Sequence, residues 1–127
     1  MQSYPPYSIT KRDDKSIKYH ASCYCSLVQY VIYDKFPFDS TYCHCYRCQQ
    51  LQSAPYQWTS IFSKTSLYFH SGLDSLKFYN NSENIPKHTL PNRVSCKQCS
   101  TSLDDEGRRM WLAFSQIFKE FRAAETI

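Results

Sequence analysis

The sequence predicts an all-β fold, mainly β with short helical turns. Three observations carry that expectation. Short alternating runs recur at close spacing, with breakers between them. Aromatic residues are abundant, with eleven Tyr, eight Phe and two Trp, and glycine is confined to Gly72 and Gly107. Aromatic enrichment favours strands over helices. Seven cysteines fall into three tight clusters, Cys23-Tyr-Cys25, Cys43-His-Cys45-Tyr-Arg-Cys48 and Cys96-Lys-Gln-Cys99. Such spacing lets thiolates from distant turns converge on one metal ion.

The length of 127 residues suits a single domain. Residues 1–13 are polar with two prolines and are expected to form a flexible arm, leaving 14–127 as one zinc-binding domain. Lys15 to Tyr19 alternates, with Ile17 and Tyr19 on one face, and reads as the first strand. The first cysteine pair follows in a turn. Ser26 to Tyr33 is rich in Val, Ile and Tyr and reads as a second strand, broken by Asp34-Lys-Phe-Pro37. Asp39-Ser40 leads into the central cluster. Arg47 to Gln52 reads as one short helical turn, ended before Pro55.

Tyr56, Trp58 and Phe62 alternate with Gln57, Thr59 and Ser63, the pattern of a half-buried strand. Ser66 to Phe69 and Ser75 to Tyr79 read as two strands around a Ser71-Gly72 turn. Asn80 to Pro86 is turn-rich. Lys87 to Ser95 reads as an extended segment interrupted by Pro91. Met110, Leu112 and Phe114 alternate as a last strand, followed by a short helix over 115–124.

The bulk numbers exclude several classes. The N-terminus lacks a basic region followed by an apolar run, so no secretory signal is expected. No stretch approaches the length of a membrane span. These features point to an intracellular setting, cytoplasmic or nuclear. There, thiols stay reduced, and clustered cysteines mean metal or catalysis more often than disulfides. The formal charge is +4; subtracting seven thiolate charges and adding four from two Zn²⁺ lowers it to +1. That removes the charge argument for a nucleic-acid partner.

Four cysteines and three make different sites. Cys23 and Cys25 on one turn, with Cys96 and Cys99 on another, supply two edges of a tetrahedral, closed, structural zinc site. Cys43, Cys45 and Cys48 then hold a second zinc from one short segment, with an open fourth position where catalysis would occur. Spacing alone leaves rivals: a site built from Cys23, Cys25, Cys43 and Cys45, or closure of the triplet by His20, His70 or His88. His44, between two ligands, is poorly placed to close it. Arg47 either steadies a substrate carboxylate or hydrogen-bonds the thiolates. Tyr56, Trp58 and Phe62 either line a pocket or form plain core.

The order Cys-x-Cys, Cys-His-Cys-x-x-Cys, Cys-x-x-Cys resembles the glutathione-dependent formaldehyde-activating enzyme and centromere protein V family. The resemblance runs from about Lys15 to Phe114, and Tyr42-Cys-His-Cys-Tyr-Arg-Cys48 is its most specific part. Ser53-Ala-Pro55, Ser95-Cys-Lys-Gln-Cys99 with Thr101, and the ending Asp105 to Phe114 resemble further family segments. The resemblance implies a β-tent of small antiparallel sheets. It places a structural zinc on Cys23, Cys25, Cys96 and Cys99 and a reactive zinc on Cys43, Cys45 and Cys48.

It also implies a carbon–sulfur lyase acting on thiol–aldehyde adducts, like S-(hydroxymethyl)glutathione synthase, with a small thiol such as glutathione as partner. The alternative it allows is a non-catalytic interaction module of the centromere protein V type, with chromatin or microtubules as partners. A thiol reductase would need a cysteine outside the clusters, and none is left over. Four positions depart from the family pattern. Ser26 and Ser100 stand where glycine is usual, and Gln49-Gln50 stands where a basic pair is common.

Overall fold

A computed structural model describes Tyr7, residues 11–80 and residues 90–122. Its strands form two antiparallel sheets. Strands β1 (Tyr19–Ser22), β2 (Gln29–Ile32) and β5 (Leu67–Ser71) make the smaller sheet, in the order β1-β2-β5. Strands β3 (Asp39–Cys43), β4 (Gln57–Ser63), β6 (Leu76–Tyr79), β7 (Asn92–Cys96), β8 (Ser102–Glu106) and β9 (Met110–Phe114) make the larger one, in the order β3-β4-β9-β8-β7-β6. The helices are short: α1 (Tyr46–Gln52), α2 (Lys119–Arg122) and four 3-10 turns.

The core lies between the sheets and is aromatic. Trp111, Tyr30, Phe62 and Phe118 are all at most 1% exposed. Tyr30 meets Trp111 and Phe118 edge-on, and the Trp111 indole N–H donates to the Tyr30 hydroxyl at 3.1 Å. That bond satisfies the polar tips of both rings within the core. Tyr7, within the span expected as an arm, is buried: it stacks on Phe69 and donates to Glu106 Oε1 at 2.7 Å.

Several elements differ from expectation. The first strand starts at Tyr19, because Asp13 caps a 3-10 turn over Asp14–Ser16 by accepting from the Lys15 N–H. Strand β3 occupies the stretch that the sequence marks only as a lead-in to the central cluster. Residues 39–42 are exposed along one edge of the larger sheet, so they carry no core-facing alternation. The sequence predicts no strand at β8, since Ser-Leu-Asp-Asp-Glu is poor in strand formers. Strand β8 nevertheless runs between β7 and β9.

Strands β5 and β6 are consecutive but enter different sheets, so Ser71-Gly72 is a crossover and not a hairpin. The tail splits into a 3-10 turn, Ser115–Ile117, and α2. The expected loop and extended segment over 81–89, and the helix residues beyond 122, lie outside the described residues. Among the described residues no helix is long and apolar enough to cross a membrane.

Because side chains alternate along a strand, the larger sheet has two distinct faces. Phe62, Trp111 and Val94 face the smaller sheet and the core. Thr41, Cys43, Gln57, Thr59, Asp105 and Leu112 share the other face and line a cavity of about 600 Å³. The polar alternates of β4 are therefore not solvent-facing as the half-buried reading implied: Gln57 is 3% and Thr59 2% exposed.

Candidate metal centre

Two of the three cysteine clusters meet. Cys23 and Cys25 sit on the turn between β1 and β2, and Cys96 and Cys99 on the turn between β7 and β8. The four sulfurs lie within 4.8 Å of one another. Cys23 and Cys25 are 3.6 Å apart, and Cys25 and Cys96 3.9 Å. A tetrahedral zinc with bonds of about 2.3 Å has S···S edges of about 3.8 Å, so these two separations bracket the ideal edge.

Each turn aims backbone donors at its sulfurs. The Val28 N–H donates to Cys23 Sγ at 3.3 Å, and the Cys99 N–H to Cys96 Sγ at 3.5 Å. Thr101 locks the two turns together: its hydroxyl accepts from the Tyr24 N–H at 3.0 Å and contacts Cys99 Sγ at 3.1 Å. Burial works against the Cys99 thiolate. The Thr101 hydroxyl, with backbone N–H groups of Cys25 and Thr101, outweighs it and draws the thiol down to about 5.

The third cluster stands alone. Cys43 ends β3, Cys45 caps α1 and Cys48 lies in its first turn. Their sulfurs also lie within 4.8 Å of one another. The Cys48 thiol donates to Cys43 Sγ at 3.1 Å, and the Cys48 N–H donates to Cys45 Sγ at 3.3 Å. That N–H is the main reason the Cys45 thiol is lowered. Burial, then the neighbouring Cys43 and Cys45 sulfurs, push Cys48 up to about 12.

The rival grouping of Cys23 and Cys25 with Cys43 and Cys45 does not form. Among the described residues no histidine or carboxylate joins the triplet. His44 is exposed, with its ring centroid 5.6 Å from that of Tyr56. His20 pairs with Glu120 at 2.7 Å, and His70 packs on Tyr68. His88 lies outside the described residues.

The triplet opens on the cavity described above, together with Arg47, Gln57 and Asp105. Gln57 pairs in register with Cys43 across β3 and β4. Its amide donates to Asp105 Oδ2 at 2.9 Å and accepts from Arg93 Nη2. Arg47 is exposed and lines a second cavity of about 320 Å³ as well, with Tyr46, Gln50, Leu51 and Tyr79. Of the aromatic candidates, Phe62 is core; Tyr56 packs against Tyr42 and His44; and Trp58 stacks on Phe121. Gln57, Asp105 and Arg93 were not singled out from sequence. The one available signal was the period of β4, which puts Gln57 and Thr59 on one face.

All seven cysteines are free thiols. Soft sulfur donors in groups of four and three suit zinc far better than calcium or magnesium. A small two-sheet β protein with two cysteine clusters, each able to hold a metal ion, is the class that fold and site define. Within that class the chain belongs to the glutathione-dependent formaldehyde-activating enzyme family, whose model matches residues 18–114. In fold it is similar to a Rhodobacter sphaeroides protein of known crystal structure. The TM-score is 0.61 at 13% identity, over 79% of this chain and 87% of that one. No curated protein matches the chain.

Proposed function

We propose that the protein is a zinc-dependent carbon–sulfur lyase acting on thiol–aldehyde adducts, in the manner of S-(hydroxymethyl)glutathione synthase. The observation that carries this reading is a three-cysteine cluster without a fourth protein ligand among the described residues, opening on a cavity of about 600 Å³. Cys23, Cys25, Cys96 and Cys99 hold a structural zinc, and Cys43, Cys45 and Cys48 a second one. Zinc held by three protein ligands supplies a Lewis acid that lowers the pKa of a thiol at its fourth position.

The chain's own residues bind and orient the substrate. Arg47, exposed between the two cavities, holds an anionic group of the thiol, as a guanidinium does with carboxylates. Gln57 and Thr59 give the cavity a polar wall, and Leu112 an apolar one. In the synthetic direction the thiol sulfur adds to the aldehyde carbon. A C–S bond forms, the C=O π bond breaks, and the S–H proton ends on oxygen. In the reverse direction the C–S bond breaks as the C=O π bond re-forms, and the hydroxyl proton ends on sulfur. Holding sulfur and carbonyl together in one cavity contributes through proximity.

The test is exchange NMR of glutathione, formaldehyde and their adduct with zinc-loaded protein. Exchange should exceed the uncatalysed rate and should be lost in Cys45→Ser. Two zincs per chain with no rate above background would instead favour the non-catalytic interaction module.

A further inference from the structure

We propose that Arg93 is a positioning residue for the Cys43/Cys45/Cys48 cluster. Its buried guanidinium, fixed by Gln57 and Asp105 beside the cavity, is the counter-charge that lets three thiolates stay together around a divalent metal. The proposal rests on the reading that this cluster holds zinc.

Arg93 lies on β7, and its side chain is only 6% exposed. A buried guanidinium is expensive unless paired and hydrogen-bonded. Its Nη2 donates to Gln57 Oε1, its Nε lies 3.4 Å from Asp105 Oδ1, and its guanidinium carbon sits 4.7 Å from the Phe114 ring centroid. These contacts fix its position without using all of its donors: Nη1 has no hydrogen-bond partner. The fixed position matters because Gln57 is the register partner of Cys43, and Gln57 and Asp105 share the cavity wall with all three cysteines. The cluster's field also reaches Arg93. Burial disfavours the charged guanidinium most; Asp105 favours it, Arg47 opposes it, and Cys48 favours it when its sulfur is ionised.

Three thiolates around Zn²⁺ would leave a net charge of −1, and on the side of the buried Cys48 that charge is less well screened than in water. Arg93 offsets that excess. Asp105 orients Arg93 and at the same time subtracts from its effect. The two partners therefore have opposite electrostatic consequences for the metal, which separates this role from a purely structural one.

The test is zinc release from the loaded full-length chain to a coloured chelator, for the natural protein, Arg93→Met, Arg93→Lys and Asp105→Asn. The natural protein should release two zincs in two phases, the faster from the triplet. Loss of a group hydrogen-bonded to a metal ligand costs about 10–100-fold in metal affinity, the upper bound for a charge that acts from behind Gln57. Arg93→Met should accelerate the fast phase by up to that factor and leave the slow phase unchanged, and Arg93→Lys should restore it. Asp105→Asn should leave the fast phase unchanged or slow it.

The proposal is overturned if Arg93→Met leaves the fast phase alone, if it accelerates both phases alike, or if Asp105→Asn accelerates release as Arg93→Met does. If Arg93→Met does not fold, the Asp105→Asn and Arg93→Lys results decide. A natural protein with a single zinc sinks the metal reading of the triplet and this proposal with it. Two zincs with an unaffected Arg93→Met sink this proposal alone.

Discussion

Three serines take backbone conformations that suit glycine. Ser26 (φ 66°) and Ser100 (φ 67°) follow the last cysteine of their turns, and Ser53 (φ 54°) ends α1. The left-handed region costs a residue with Cβ roughly 1–2 kcal/mol, partly offset by the extra chain entropy glycine loses on folding, about 0.5–1 kcal/mol. Ser26→Gly and Ser100→Gly should each stabilise the zinc-loaded protein by about 0.5–1 kcal/mol, seen as a higher unfolding midpoint. Gly72 (φ 81°) is the opposite case, since a Cβ there would lie 2.5 Å from the Leu27 carbonyl oxygen. Gly72→Ala should destabilise by about 2–4 kcal/mol. An unchanged melting temperature would contradict the tight crossover behind the first cysteine turn.

Among the elements, β8 shows how far a strand can depart from strand-like composition. Its three acids have separate surroundings. Asp105 faces the cavity side and meets Gln57 and Arg93. Glu106 takes the Tyr7 hydroxyl and lies 2.7 Å from Lys64 Nζ. Asp104 is fully buried, and neither of its oxygens has a hydrogen-bond partner. Burial, then the charges of Glu106 and Asp105, hold its carboxyl well above the usual carboxylate range, against the pull of Lys64 and Arg93.

With the folded value raised, the native state binds the Asp104 proton more tightly than the unfolded chain. The contribution is fully present below the unfolded value, about 3.9, and is lost as pH rises toward the folded value. Asp104→Asn should therefore flatten this part of the pH–stability profile. At pH 7 the buried carboxyl must either stay charged in the core or take up a proton on folding, and Asp104→Asn, which needs neither, should stabilise the protein. Denaturant titrations at several pH values would show it; equal slopes for both proteins would refute it.

For the whole molecule, the two cysteine clusters carry different loads. Cys23 and Cys25 belong to the turn between β1 and β2 of the smaller sheet, and Cys96 and Cys99 to the turn between β7 and β8 of the larger one. A metal held there would fasten one sheet to the other. Structural zinc sites supply on the order of 10 kcal/mol of folding free energy, more than such a small domain holds in reserve. Cys96→Ser should therefore abolish cooperative unfolding, whereas Cys45→Ser should keep the fold and lose one metal. Circular dichroism with zinc analysis on both variants would decide; a folded Cys96→Ser protein would show that the core alone holds the sheets.

The fold class and the division of seven cysteines into four and three are legible in the sequence, because both are local facts. Strand alternation and one- to two-residue thiol spacings can be read within a few positions. The sequence also marks Ser26 and Ser100 as unusual. It could not place β3 or β8: an exposed edge strand has no apolar face, and β8 is stabilised by partners up to 99 residues away, such as Tyr7 on Glu106. It took the folded chain to bring Gln57 and Asp105 into the cavity wall beside the triplet, with Arg93 held against both. Those side chains come from three strands, and cross-strand register, which no single segment encodes, brings them together.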